Sequence, residues 1–453
     1  MKQRRSFLVA ALLFGAPVVL PPAAAHAASS KCEGNPGSLL AATASFDAAA
    51  DYTEDYADLP IAVTRQAGSF DLSLTTSSNP SRSCYGVAVT LVDSRGEGFE
   101  VDVPAVAVGS VGKGNGSFTQ VYEVSLPDDM PVGAYFFQVT LGADRTASWY
   151  VPDPSDATLP LETAVLFNPF SEKSDVYVPG SESGDAGVGP VTVKLPLSNE
   201  DSLSFNLDSN AWEVVDGTLD VIARLDADSR KRAWRVAREI SYTANDKVLW
   251  GRWDGSYKAG QNPSYWLNLQ TEDDTRPWEW TSSSDIYKSR KNRKAKYGQN
   301  MVFACVTTSS LRSVGIPTRV VTNLNAAHES KKSDMISTGV YRPSRAPSLM
   351  TAPSAVVLTK EGTYDVSKSK DVIWNFHVWN ESWHLAAPGA STSTAPEWNA
   401  YDSTPQEAVS SSDSGVPGYP VASIPDVKSC STCTFVQTKG TEPFPMKVSV
   451  SGK

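Results

Sequence analysis

Histidine, cysteine and long apolar runs are all scarce in this chain of 453 residues. Only four histidines are present, so few side chains can serve as an imidazole base near neutral pH. Beyond the N-terminal stretch no run approaches the ~20 consecutive apolar residues of a membrane-spanning helix, which excludes a helical span from the expected architecture. Positive charge is in deficit as well: 40 Lys and Arg face 50 Asp and Glu, for a net charge of -10. A surface of that sign excludes nucleic acid and anionic lipid as expected partners.

What is present begins with a leader. Met1-Lys2-Gln3-Arg4-Arg5 is basic, runs into apolar sequence from Phe7 to Leu20, and closes on Ala25-His26-Ala27. That order reads as a signal peptide over residues 1–27, so the mature protein is expected to be secreted and extracellular. Cysteines in an exported chain suggest disulfides. Cys32 and Cys84 are expected to pair, while Cys430 and Cys433 form a C-x-x-C that lacks a strand-helix redox context and reads as a small loop staple. Cys305, in the apolar run MVFACV, reads as a buried and inert thiol.

Two large units follow the leader. From Tyr52 to Val151 short alternating segments such as SFDLSLTT, CYGVAVTLVD, GFEVDVPAVAV, QVYEVSLP and AYFFQVTL are separated by turn residues. Period-two patterning interrupted this often predicts an immunoglobulin-like β-sandwich over 28–151. The proline-rich spacer VPDPSDATLP marks a boundary, with 152–164 expected as linker and 165–453 as a second domain. In that domain apolar residues at helical spacing predict helices near Asp216 to Ala227, Arg230 to Tyr242 and Asn300 to Val314, the last stopped by Gly315 and Pro317. IPTRVVTN, VIWNFHVWNESW and EWNAYDS then read as strands, which makes the fold class α+β. Ala326 to Ser369, rich in Ser, Lys and Pro, reads as a long surface insertion.

With His26 in the leader, the imidazole candidates are His328, His377 and His384. His377 lies mid-strand in WNFHVWNESW, on one face with Asn375, Trp379 and Glu381. Asp402, in YDSTPQE, is a carboxylate able to orient an imidazole. The segment YGQNMVFACVTTSSLRSVGIPTRVVTNLNAAHES resembles the active-site segment of the animal-type, calcium-dependent transglutaminases. WNFHVWNESW and YDSTPQE resemble, in the same order, the segments that carry that family's catalytic His and Asp. VLWGRWDGSY resembles the segment with its oxyanion-stabilising tryptophan. The resemblance runs from about Leu166 to the C-terminus and implies a papain-like catalytic core behind the sandwich.

In that family a thiolate attacks a glutamine carboxamide, ammonia leaves, and a lysine amine or water resolves the thioester. The resemblance implies His377 as base, Asp402 as orienting carboxylate and Trp253 as indole donor. The nucleophile's position falls on Asn300. An amide nitrogen has a delocalised lone pair and no ionisable proton, so it does not replace a thiolate. Cys305 lies five residues further along the expected helix, turned by about 140° and displaced by about 7.5 Å, so it points elsewhere and loses the helix N-terminus that lowers a thiol pKa. Asn300 is expected instead as the N-cap of that helix.

Calcium is the cofactor the resemblance implies. Carried over, one of its sites takes in Glu329 and Asp334, but Lys331 and Lys332 stand between them and oppose a hard dication that needs six or more oxygens. That site is expected to be degraded, and no other cofactor is expected. Two functions remain: a secreted binding or structural module without thiol chemistry, whose partners are proteins bearing glutamine or lysine where the cleft is kept; or, alternatively, an active protein-glutamine gamma-glutamyltransferase.

Overall fold

The computed structural model of the chain describes residues 38–79, 87–96, 98–141, 147–181, 186–196, 202–251, 275–290, 294–328, 356–358, 372–388, 393–401, 403 and 448–450. Its N-terminal half is built from Leu39–Phe46 (β1), Ala62–Arg65 (β2), Ser69–Thr76 (β3), Val87–Asp93 (β4), Glu100–Val103 (β5), Ala105–Gly114 (β6), Ser117–Ser125 (β7), Gly133–Leu141 (β8) and Ala147–Tyr150 (β9). Pro152–Asp153 (β10), Asp156–Pro160 (β11) and Glu162–Leu166 (β12) follow. One sheet runs β1-β3-β7-β6, and the facing one runs β2-β12-β8-β4-β5 with β9 also on β8.

The alternation of β3 explains its place. Phe70, Leu72 and Leu74 point inward and are buried, while Asp71 points out. They meet Leu91, Tyr135, Phe137 and Val139 from the second sheet. Each such side chain removed from water contributes roughly 1.5–3 kcal/mol. GFEVDVPAVAV, expected as one strand, is two. Pro104 has no N–H for a ladder, and the chain changes sheet there, β5 pairing with β4 and β6 with β7.

The spacer 152–164 also departs from expectation. Instead of running as a linker it forms the β10-β11 hairpin and then β12, which pairs parallel to β2 and antiparallel to β8 inside the second sheet. At its β2-β12 end that sheet is consequently buried on both faces. Tyr135 and Phe137 face the other sheet, while Ala134, Ala164 and Leu166 join a separate cluster with residues of the second unit.

The second unit contains the hairpin Val191–Pro196 (β13) with Ser202–Leu207 (β14), then helices Trp212–Ile222 (α1), Ala227–Arg230 (α2) and Ala233–Thr243 (α3). Leu249–Gly251 (β15), Ser283–Arg290 (α4), Ala295–Gly298 (β16) and Asn300–Ser313 (α5) come next. The expected helix 216–227 is displaced to 212–222, because Asp226 caps α2: its carboxylate accepts the Ser229 N–H at 2.7 Å and the chain must turn before it. Thr318–His328 (β17), Val372–His384 (β19) and Glu397–Tyr401 (β20) form a sheet in the order β17-β19-β20. Between them Val356–Leu358 (β18) pairs with Val448–Val450 (β21). The insertion expected from Ala326 thus begins later, since β17 runs to His328, and most of it lies outside the described residues. So do the leader, Cys32, Cys84, Cys430 and Cys433.

The two units are clasped together by charge. Arg230 donates to both carboxylate oxygens of Asp93 at 3.0 and 3.1 Å, and also to the Ala223 and Leu225 carbonyls at 2.9 Å each. Arg95 reaches Glu162 within the second sheet and Asp216 on α1. Among the described residues no helix is long and apolar enough to cross a membrane.

Candidate active site

Helix α5 is the axis of the second unit. Every residue of it is buried except Arg312, with α1, α3, α4, β14, β17 and β19 packed around it. It ends at Gly315, whose φ of +86° favours glycine and where an added Cβ would strike the Phe167 carbonyl oxygen. Its run of Thr307, Thr308, Ser309, Ser310 and Ser313 is fully buried, yet each hydroxyl has a partner. Thr307 bonds Ser403 at 2.8 Å, Ser309 bonds Ser283 at 2.7 Å and Ser310 bonds Tyr287 at 2.7 Å. Ser313 donates to the Ser310 carbonyl, and Thr308 accepts from Asn380.

Asn300 opens this helix and is 8% exposed. It is not the cap as expected: the cap position belongs to Gln299, in extended backbone and without a side-chain capping bond. Asn300 is instead the first helical residue, and its Oδ1 accepts the Met301 N–H at 2.7 Å. The amide therefore serves one of the first helical N–H groups, which have no partner in the preceding turn, from one position further in.

His377 occupies β19, paired across the ladder with Asn323 of β17. The same strand packs on α5 through Val378, buried in a cluster with Met301, Val302 and Cys305 of the helix, and through Asn380. β17 and β19 are pinned by Arg319, which donates two bonds to one oxygen of buried Glu381 at 2.8 and 2.6 Å and stacks on Trp398 of β20 at 4.0 Å. Trp253, Asp402, Glu329 and Asp334 lie outside the described residues, as does the side chain of His377. Asp402 follows the last residue of β20 and precedes Ser403, which is buried against α5.

Two other candidates have definite environments. Cys305 is completely buried among Leu195, Phe205, Phe303 and Val378, and burial pushes its thiol pKa far up. It is held as the neutral thiol. His384 is completely buried at the end of β19; burial lowers its pKa to about 4, opposed by its bond with the Leu385 carbonyl oxygen. Its Nδ1 lies 2.8 Å from that oxygen and its Nε2 has no hydrogen-bond partner. It is a neutral core histidine. Among the described residues no cluster of three or more His, Cys, Asp or Glu could hold a metal ion, and the AHES stretch lies beyond them.

Sequence reasoning missed Asn380 and Ser403. The available signals were the amide of Asn380 beside Trp379 in a strand of mixed polar and aromatic residues and the hydroxyl run TTSS inside a mostly apolar helix.

A sandwich leading into a central helix backed by a three-stranded sheet defines a transglutaminase-type fold, and the comparisons agree. Residues 256–403 match the family model of the transglutaminase-like superfamily. The structure superposes on that of red sea bream transglutaminase with a TM-score of 0.55 at 22% identity, over 80% of this chain and 51% of that one, which shows the shared fold. The chain is 29% identical over 303 residues to the hemocyte protein-glutamine gamma-glutamyltransferase of Tachypleus tridentatus, covering 63% of this chain and 34% of the relative. It is 30% identical over 267 residues to human coagulation factor XIII A chain, covering 54% and 30%. The chain carries a transglutaminase-like domain, and its similarity is to the animal protein-glutamine gamma-glutamyltransferases. It spans about a third of the length of these curated relatives.

Proposed function

We propose that this chain is a secreted transglutaminase-family protein that does not carry out thiol-dependent acyl transfer and acts as a binding or structural module for other proteins. The observation that carries the reading is the occupant of the α5 N-terminus, Asn300, together with the complete burial of Cys305, the one cysteine among the described residues. A thioester needs a sulfur nucleophile that can ionise and reach a carboxamide. Asn300 offers a planar amide already engaged with the Met301 N–H. Cys305 sits within hydrocarbon and holds its proton. Removing the nucleophile from such a set typically costs several orders of magnitude in rate.

In this reading His377, Asp402 and Trp253 are the retained remainder of the catalytic set, and a groove built for glutamine or lysine side chains is retained to bind proteins. The basic and apolar leader supports export. Calcium bound at Glu329 and Asp334 would face Lys331 and Lys332 within the same stretch, a poor donor set for a hard dication, so the reading assigns calcium no part in binding.

The alternative, an active protein cross-linking enzyme, draws on the names of the relatives. Incorporation of a labelled primary amine into a glutamine-bearing protein, with calcium and beside a Cys305→Ala control, separates the two. The proposal expects the same blank-level signal from both proteins. Incorporation by the native chain that Cys305→Ala abolishes would establish the enzyme.

A further inference from the structure

A buried polar cluster lies between α5 and the sheet, where a purely apolar contact would have sufficed for packing. Asn380, on β19, is wholly buried. Both of its amide N–H groups are used, one on the Ala304 carbonyl at 2.7 Å and one on Thr308 Oγ1 at 2.7 Å. Its Oδ1 receives the Ser403 hydroxyl at 3.5 Å, and that hydroxyl also bonds Thr307 Oγ1 at 2.8 Å and approaches the Phe303 carbonyl at 3.5 Å. Three segments remote in sequence therefore meet on one side chain: the middle of α5, the centre of β19, and the residue after Asp402.

A leucine or valine there would hold strand to helix without selecting a position. The amide selects one, because a slip of a single residue would turn Asn380 to the other face of the sheet and leave several buried polar groups without partners. We infer that Asn380 is a positioning residue for the site at the α5 N-terminus: through Ala304, Thr308 and Ser403 it sets the register of the His377 strand, and of the chain leaving β20, against the helix that presents residue 300. This rests on the proposed retention of the family's geometry around that residue.

The test uses the mature full-length chain carrying Asn300→Cys, with iodoacetamide as probe and peptide mass mapping to read labelling at residue 300 alone. Its rate against pH gives the ionisation midpoint of the introduced thiol. A helix N-terminus and a neighbouring imidazole place that midpoint below the ~8.5 of a free cysteine. Adding Asn380→Leu is expected to return the midpoint toward the free value and to lower the thiolate fraction at pH 6 by about tenfold for each pH unit of the shift, slowing labelling by a smaller factor because the more basic thiolate is the better nucleophile. Thr308→Val, close in volume and easier to accommodate, is expected to produce the same effect in part. Ser283→Ala is the control, since it deletes another buried hydroxyl bond to α5, at 2.7 Å; at matched loss of Tm it should leave the midpoint where it was.

A depressed midpoint that survives Asn380→Leu and Thr308→Val would overturn the positioning role while leaving the proposed geometry standing. An ordinary midpoint in Asn300→Cys itself would show that the geometry has not been retained, and the positioning role would fall with it.

Discussion

Replacing Arg230 by alanine should be among the most damaging single changes in this protein. Its side chain and that of Asp93 are 1% and 0% exposed, so neither charge has water to fall back on. Arg230→Ala removes four donated bonds, leaving the Asp93 carboxylate and the Ala223 and Leu225 carbonyls without them. Breaking a buried pair from one side costs about 3–5 kcal/mol, chiefly through the stranded charge. Arg95 provides the contrast. It bonds Glu162, 23% exposed, within its own sheet and touches Asp216 and Asp220, 42% and 58% exposed, across the same boundary; solvent reaches every carboxylate that Arg95→Ala would strand, so each costs less than a sealed pair, the two exposed ones at most about 1 kcal/mol each. Urea denaturation of wild type, Arg230→Ala and Arg95→Ala compares them directly. The double variant Asp93→Leu/Arg230→Met should recover most of the loss, because it strands no charge. The reasoning is refuted if Arg230→Ala costs no more than Arg95→Ala, or if the double variant is less stable than either single change.

Three further outcomes are expected. His384 has a folded pKa of about 4, lowered by burial, below its unfolded value of ~6.5; the unfolded chain therefore takes up the proton first, and the stabilisation is complete above pH 6.5 and lost as pH falls toward 4. Wild type minus His384→Gln in a pH series of urea titrations should show roughly 3 kcal/mol disappearing across that window, and parallel curves would count against it. Gly217→Ala ordinarily gains about 1 kcal/mol in a helix, but its Cβ would strike the Tyr287 ring where α1 meets α4, so the unfolding free energy from urea titration should fall by about 1–3 kcal/mol, and a rise would show that the ring yields. Cys305 should resist iodoacetamide in the native state and label only above the urea midpoint; rapid native labelling would contradict its burial.

The parts of this architecture legible in the sequence are those set by local pattern. Phe70, Leu72 and Leu74 alternate as a half-buried strand must, and Gly315 with Pro317 ends α5 where the chain needs a positive φ. Strand β12 was not legible because its parallel partner β2 lies about a hundred residues upstream and its neighbourhood carries local turn signals. Asn380 escaped for the same reason, since its partners Ala304 and Thr308 are 76 and 72 residues away. The capping role of Asn300 failed by one position, the usual uncertainty of a helix boundary. The class of the candidate site was legible because four motifs appear in one order, whereas how α5 is held against the sheet depended on contacts between distant segments.

The most direct test of the central claim is the intact mass of the mature protein after incubation with calcium and an excess of a glutamine-bearing peptide, without any amine acceptor. An acyl-enzyme would add the peptide's mass less that of the ammonia released. With Asn300 at the head of α5 and Cys305 sealed in the core, the account predicts an unchanged mass. A species heavier by the peptide less ammonia, with the acyl group mapped to a cysteine, would contradict it.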